Sequence, residues 1–140
     1  MTTERLNLQS LLMAGGDEPW AGLPPGTSLG HMHLQVSDLE SAEAFFHSAL
    51  GFDKIVWNFP GALFLSAGGY HHHLGTNTWA AGAGHALQNE ARLLEWEIIL
   101  PSSGDRAAAA QSLREAGYAA EPDGDAWVVS DPWNTTLRLR

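Results

Sequence analysis

Between Gly30 and Ser37 polar and apolar side chains alternate: His31, His33 and Gln35 take one parity, and Met32, Leu34 and Val36 take the other. A period of two predicts a strand with one buried face, because successive side chains of an extended chain point to opposite sides. The period then lengthens. Leu39, Ala42, Phe45, Phe46 and Leu50 form an apolar stripe, Ser37 or Asp38 stands at the cap position, and Glu40 to Glu43 place acid in the first turn. These features predict a helix that Gly51 ends. Three short β-like runs follow, Lys54 to Asn58, Ala62 to Ser66 and Tyr70 to Thr78, punctuated by Pro60-Gly61 and Gly68-Gly69. The order is β-α-β-β-β.

After the flexible connector Ala80 to Gly84 the same order returns. Leu94 to Leu100 alternates as a strand, with Glu95, Glu97 and Ile99 on one face and Leu94, Trp96, Ile98 and Leu100 on the other. Asp105 to Glu115 is an alanine-rich helix stopped at Gly117, and Ala116-Gly117-Tyr118 echoes Leu50-Gly51-Phe52. Short strands are expected around Ala119 to Pro122, Ala126 to Ser130 and Thr135 to Arg140, with Asp131-Pro132 turning between the last two. Such self-similarity marks an internal repeat of one supersecondary unit. Upstream, Leu6, Leu8, Leu11 and Leu12 are close to helical spacing and Asn7 is placed to cap, which predicts a short packing helix over Asn7 to Met13. Gly15 to Gly26 reads as an ordered linker pinned to the body by Trp20 and Leu23. Neither unit can bury a sheet face alone, so the two are expected to pair. The fold class is α+β: two βαβββ modules forming a curved mixed sheet with helices outside. The expected organisation is one domain over 1–140, with helix and linker at 1–28, a first module at 29–80 and a second at 93–140.

Composition narrows the chemistry. The chain has 140 residues, enough for one domain with a real core, and no cysteine, which removes thiolate metal sites and thiol nucleophiles. Any metal must be held by His, Asp or Glu. A formal charge of -9 repels nucleic acid and anionic membranes. The first residues lack a basic region followed by an apolar core, and no apolar run is long enough to span a bilayer, so a cytoplasmic protein is expected.

The run Gly68-Gly69-Tyr70-His71-His72-His73-Leu74-Gly75-Thr76-Asn77-Thr78-Trp79 carries three adjacent imidazoles, the commonest metal-ligating side chain. If it is extended, at most His71 and His73 share a face while His72 looks the other way. By the same alternation, His31, His33, Glu95, Glu97, Thr136 and Arg138 lie on the face away from the helices. Two imidazoles and a carboxylate on one face suit a non-haem Fe(II) centre, and His31, His73 and Glu95 are the expected set. Leu74 beside His73 favours it over His71, which has the same parity. His33 and His72 are commonly hydrogen-bonding strand residues, Glu97 reads as solvated, and His47 and His85 are expected to be exposed and uninvolved.

With this order in view, Leu29-Gly30-His31-Met32-His33-Leu34-Gln35-Val36-Ser37-Asp38-Leu39-Glu40, Phe45-Phe46, Leu50-Gly51-Phe52 and the Asp131-Pro132-Trp133-Asn134 turn resemble the vicinal oxygen chelate superfamily. That superfamily comprises glyoxalase I, fosfomycin and bleomycin resistance proteins and extradiol dioxygenases. Pro19-Trp20, Leu23 to Thr27, Ala62 to Trp79 and Leu94-Glu95-Trp96 are similar to the C-terminal half of bacterial catechol-2,3-dioxygenase-like proteins. The resemblance covers almost the whole chain from about Leu6. It implies ligands on the first and last strands of each module, which carries over to His31, the His71 to His73 run, Glu95 and Arg138. Arg138 departs from the pattern: a carboxylate commonly closes the site there, and a guanidinium cannot ligate. Either His31, His73 and Glu95 suffice and Arg138 steers an anionic substrate, or Arg138 pairs with Glu95 in place of a metal. The resemblance further implies a divalent metal, Fe(II) first, or none; ring cleavage of a catechol or another small vicinal oxygen compound; His33 or His71 as acid/base, with Tyr70; and substrate contacts from Asn77, Arg138 and Trp79. Glyoxalase-like isomerisation and metal-free small-molecule binding are the alternatives. A homodimer is expected, with no nucleic acid or membrane partner.

Overall fold

The computed structural model describes residues 4–17, 19–84 and 86–140; His85 lies outside the described residues, as do Met1 to Thr3. The elements run α1 (Leu8–Gly15), β1 (Met32–Gln35), α2 (Leu39–Ala42), a π-helical segment (Glu43–Ala49), β2 (Asp53–Val56), β3 (Ala62–Ser66) and β4 (Leu74–Asn77). After the connector come β5 (Glu95–Ile98), α3 (Ser103–Glu115), β6 (Glu121–Asp123), β7 (Ala126–Ser130) and β8 (Thr136–Leu139). The βαβββ order thus occurs twice, and the fold is α+β as expected. Each module builds its own four-stranded mixed sheet, ordered β1-β4-β3-β2 and β5-β8-β7-β6. In both, the first strand pairs in parallel with the last, so residues far apart in sequence become neighbours: Met32 opposes Leu74, and Glu97 opposes Arg138.

The alternation seen in the sequence sets the faces. Leu34 and Val36 are buried while His33 and Gln35 are exposed; Leu137 and Leu139 are fully buried beside the half-buried Thr136 and Arg138. Asp38 caps α2, its carboxylate accepting from the backbone N–H groups of Glu40 at 2.9 Å and Ser41 at 3.2 Å. The helix then widens by one residue per turn, with Leu50 N–H donating to the Phe45 carbonyl five residues back. Adjacent Phe45 and Phe46 are both fully buried in this stretch. Phe45 meets Tyr118 edge to face at 4.8 Å, Phe46 lies 6.2 Å from the Trp96 ring, and one apolar cluster draws on both modules. The Trp133 indole N–H donates to Ser37 Oγ at 2.8 Å, a second tie between the modules.

The N-terminal stretch departs from expectation. Asn7 does cap α1, accepting from Ser10 N–H at 3.0 Å, but α1 buries no residue. Trp20 and Leu23, expected to pin the linker, are 79% and 69% exposed. Helical spacing and a cap dictate a helix locally; they do not supply a surface for its apolar stripe. Among the described residues no helix is long and apolar enough to cross a membrane.

Candidate functional site

Gly68 and Gly69 adopt left-handed conformations, φ 63° and 76°, and β4 begins only at Leu74. The three imidazoles therefore leave a turn and are not laid out along a strand, so alternation does not govern them. His71 and His72 both come against His31: the ring centroids are 4.7 Å and 4.3 Å from that of His31 and 4.8 Å from each other. The ligand nitrogens of His31, His71 and His72 lie within 4.8 Å of one another. His72, which alternation sends to the opposite face, is the half-buried member of the group. The signal that locates it is the Gly68-Gly69 pair, which marks a turn at the start of the run. Tyr70 joins the group, its hydroxyl 3.4 Å from His31 Nε2.

Burial foremost, and then the neighbouring imidazoles of His31, His71 and His33, lower the pKa of His72. Its neutral form, which carries a ligating lone pair, is favoured. His72 Nδ1 is buried with no hydrogen-bond partner in the structure, a costly state for an imidazole nitrogen. Three converging imidazoles, one of them biased towards neutrality and unsatisfied, fit a divalent transition metal.

His73 stands immediately before β4 but is otherwise engaged. Its carbonyl accepts from Met32 N–H at 2.9 Å, and its Nδ1 accepts from Ala67 N–H at 3.3 Å and lies 3.2 Å from Ser66 Oγ. It is not among the three whose ligand atoms converge. His33 has a defined tautomer. Asn77 Oδ1 accepts from Trp79 N–H at 3.0 Å, which turns the amide nitrogen to donate to His33 Nε2 at 2.7 Å and leaves the His33 proton on Nδ1. The Trp79 ring lies 5.7 Å from that of His33, and a Cβ at Gly75 would come within 3.0 Å of His33 Nδ1, so the ring needs the glycine. His47, expected to be exposed, is half-buried with Nδ1 against the Phe52 carbonyl, where it ties the helix end to the following turn.

In the second module, Arg138 donates to Glu95 at 3.0 Å and to Asp123 at 2.7 Å, with Glu97 at 4.0 Å. The hydrogen bonds to Glu95 and then Asp123 raise the Arg138 pKa further, so the guanidinium stays charged. Of the two arrangements open for Glu95, the structure shows the ion pair. A cleft of about 780 Å³ lies between the modules, bounded by His33 and Gln35 on one side, Trp133 and Thr136 on the other, and Ala80 and Arg92 of the connector. Among the described residues, His33 is the one imidazole that faces it.

This architecture has counterparts. A sequence model of the Glyoxalase/Bleomycin resistance protein/Dioxygenase superfamily matches residues 28–125. The chain belongs to this superfamily. Within it, the chain is 43% identical over 135 residues to catechol-2,3-dioxygenase of Bacillus subtilis, a match covering 94% of this chain and 47% of that protein. The chain thus spans about half the length of its curated superfamily relative. Among solved structures of the superfamily, a glyoxalase family protein from Enterococcus faecalis aligns with a TM-score of 0.61 at 19% identity, covering 81% of this chain and 97% of that one. Lactoylglutathione lyase from Agrobacterium tumefaciens aligns with a TM-score of 0.58 at 15% identity, covering 83% and 94%. At these identities the structural likeness speaks for the fold.

Proposed function

We propose that this chain is a metal-dependent, dioxygenase-like enzyme acting on a catechol or another small vicinal oxygen compound. The observation that carries this reading is the 43% identity to a catechol-2,3-dioxygenase, and the convergence of His31, His71 and His72 supports it. These three histidines would hold the ion, Fe(II) first. When bound, a divalent ion supplies Lewis acidity that favours the ionised form of a hydroxyl substrate. The rest falls to the chain's own residues. The cleft admits the substrate to His33, whose Nε2 is an acceptor kept in place by Asn77; exchange of that partner for a substrate hydroxyl makes His33 a general base. Trp79 offers an aromatic face beside it, and Tyr70 donates towards His31. Arg138 is engaged by Glu95 and Asp123, which compensate its charge. Two copies of the chain form the working unit in the cytoplasm.

The ligand set expected from alternation, His31, His73 and Glu95, differs from the convergent set in two members, and substitution separates them. Protein purified without a tag and loaded anaerobically with Fe(II) is expected to retain iron and open a catechol ring under oxygen. His72→Ala is expected to weaken metal binding at least tenfold by titration calorimetry, while Glu95→Gln leaves it unchanged. Loss of binding in Glu95→Gln but not in His72→Ala would instead assign the alternation set. A metal-free binding protein is the second reading, favoured by the Glu95–Arg138 pair. Failure of the wild-type chain to retain any divalent metal would establish it.

A further inference from the structure

The chain exposes 9803 Å² of surface, whereas a folded monomer of 15.1 kDa exposes about 7,100 Å². The excess of about 2,700 Å² is comparable with what each chain of an obligate homodimer buries, about 1,000–2,500 Å². Much of the excess has an address. Leu6, Leu8, Leu11, Leu12 and Met13 are each at least 55% exposed, and Trp20, Leu23 and Leu29 downstream are at least 69% exposed. This arm has a formed cap and a formed helix, with Leu8, Leu11 and Leu12 on one stripe, yet α1 buries none of its residues. An apolar stripe of this kind on a capped helix is built to be covered.

We infer that the N-terminal arm, Leu6 to Leu29, is an exchange arm that packs on a second copy of this chain. This deepens the homodimer reading given above and is independent of the metal. Charge points to the same occupant. The chain carries -9 overall, so two copies repel across most of their surface, but between Leu6 and Gly30 only Asp17 and Glu18 are charged. The arm is the stretch through which two such chains can approach at least electrostatic cost. The acceptor has the matching chemistry: Trp57 and Ile99 of the body are 71% and 80% exposed within one chain. Exchange in both directions closes the assembly with two-fold symmetry and leaves no arm free.

Light scattering on the full chain across a range of concentrations tests this. The wild type is expected at twice the 15.1 kDa chain mass, and the triple variant Leu8→Glu, Leu11→Glu, Leu12→Glu at the mass of one chain with near-unchanged near-ultraviolet circular dichroism of the body. A monomeric wild type would overturn both the homodimer and the arm. A wild-type dimer that the triple variant leaves intact would overturn the arm alone. Because the chain has no cysteine, Leu12→Cys can carry a single polarity-sensitive dye as a check that needs no disruptive substitution. A blue-shifted emission lost on dilution is expected, and a dimer whose dye reports water throughout would overturn the proposal.

Discussion

Gly75 shows how one residue's lack of a side chain determines another's position. A methyl group there would press on the His33 ring at 3.0 Å, and His33 is the imidazole whose tautomer Asn77 fixes and whose face Trp79 covers. Gly75→Ala is therefore expected to leave the fold intact, since the backbone at 75 is not left-handed, and to shift the His33 ring by a few tenths of an ångström. A loss of catechol turnover of roughly tenfold follows if His33 is the base. Nitrogen-15 imidazole spectra together with kcat check it, and an unchanged ring with unchanged turnover would remove His33 from the mechanism. Asp131 gives a second test at this scale. Its carboxylate accepts from the N–H groups of Trp133 at 2.9 Å and Thr135 at 2.8 Å, yet burial outweighs these bonds and raises its pKa above the usual 3.8. The folded state therefore holds the proton more tightly than the unfolded one, and stability attached to this group is lost as pH rises from 3.8 through the folded value. Asp131→Asn keeps an acceptor without the charge. Its stability relative to wild type is expected to rise over that window in urea titrations, while Asp131→Ala loses about 1 kcal/mol or more by orphaning two backbone donors.

The widened helix is the element on which the two modules meet. Alternation and helical period, both legible in the sequence, place Leu34, Val36, Leu137 and Leu139 in the core and predict that Phe45 and Phe46 face it. The period does not show that Phe45 reaches Tyr118 of the other module at 4.8 Å, because that contact depends on how the two helices pack. Phe45→Ala removes a fully buried ring at this junction and is expected to cost about 3–5 kcal/mol by chemical denaturation. A cost below about 1 kcal/mol would mean that the modules are held together elsewhere. The same limit explains the histidine run. Period-two reasoning is valid only along a strand, and two left-handed glycines end its reach between Gly69 and Leu74. That is why alternation sends His72 to the opposite face while the structure puts it against His31.

At the scale of the molecule, the repeat was written twice in the chain, and its two copies carry different chemistry at matching positions. The first sheet presents His31 and His33 where the second presents Glu95 and Glu97, and the arginine opposite the acids satisfies them. By itself the sequence determined the element order, the buried faces, a cap at Asn7 and another at Ser37 or Asp38, and the residue types available for chemistry, because these follow from local period and from side-chain donors. Tertiary structure alone decided three things: that His71 and His72 meet His31, that Glu95 is held by Arg138 and Asp123, and that the N-terminal arm finds no cover in its own chain. Each depends on distances between segments far apart in sequence, and such distances are set by how sheets and helices pack once the local elements exist.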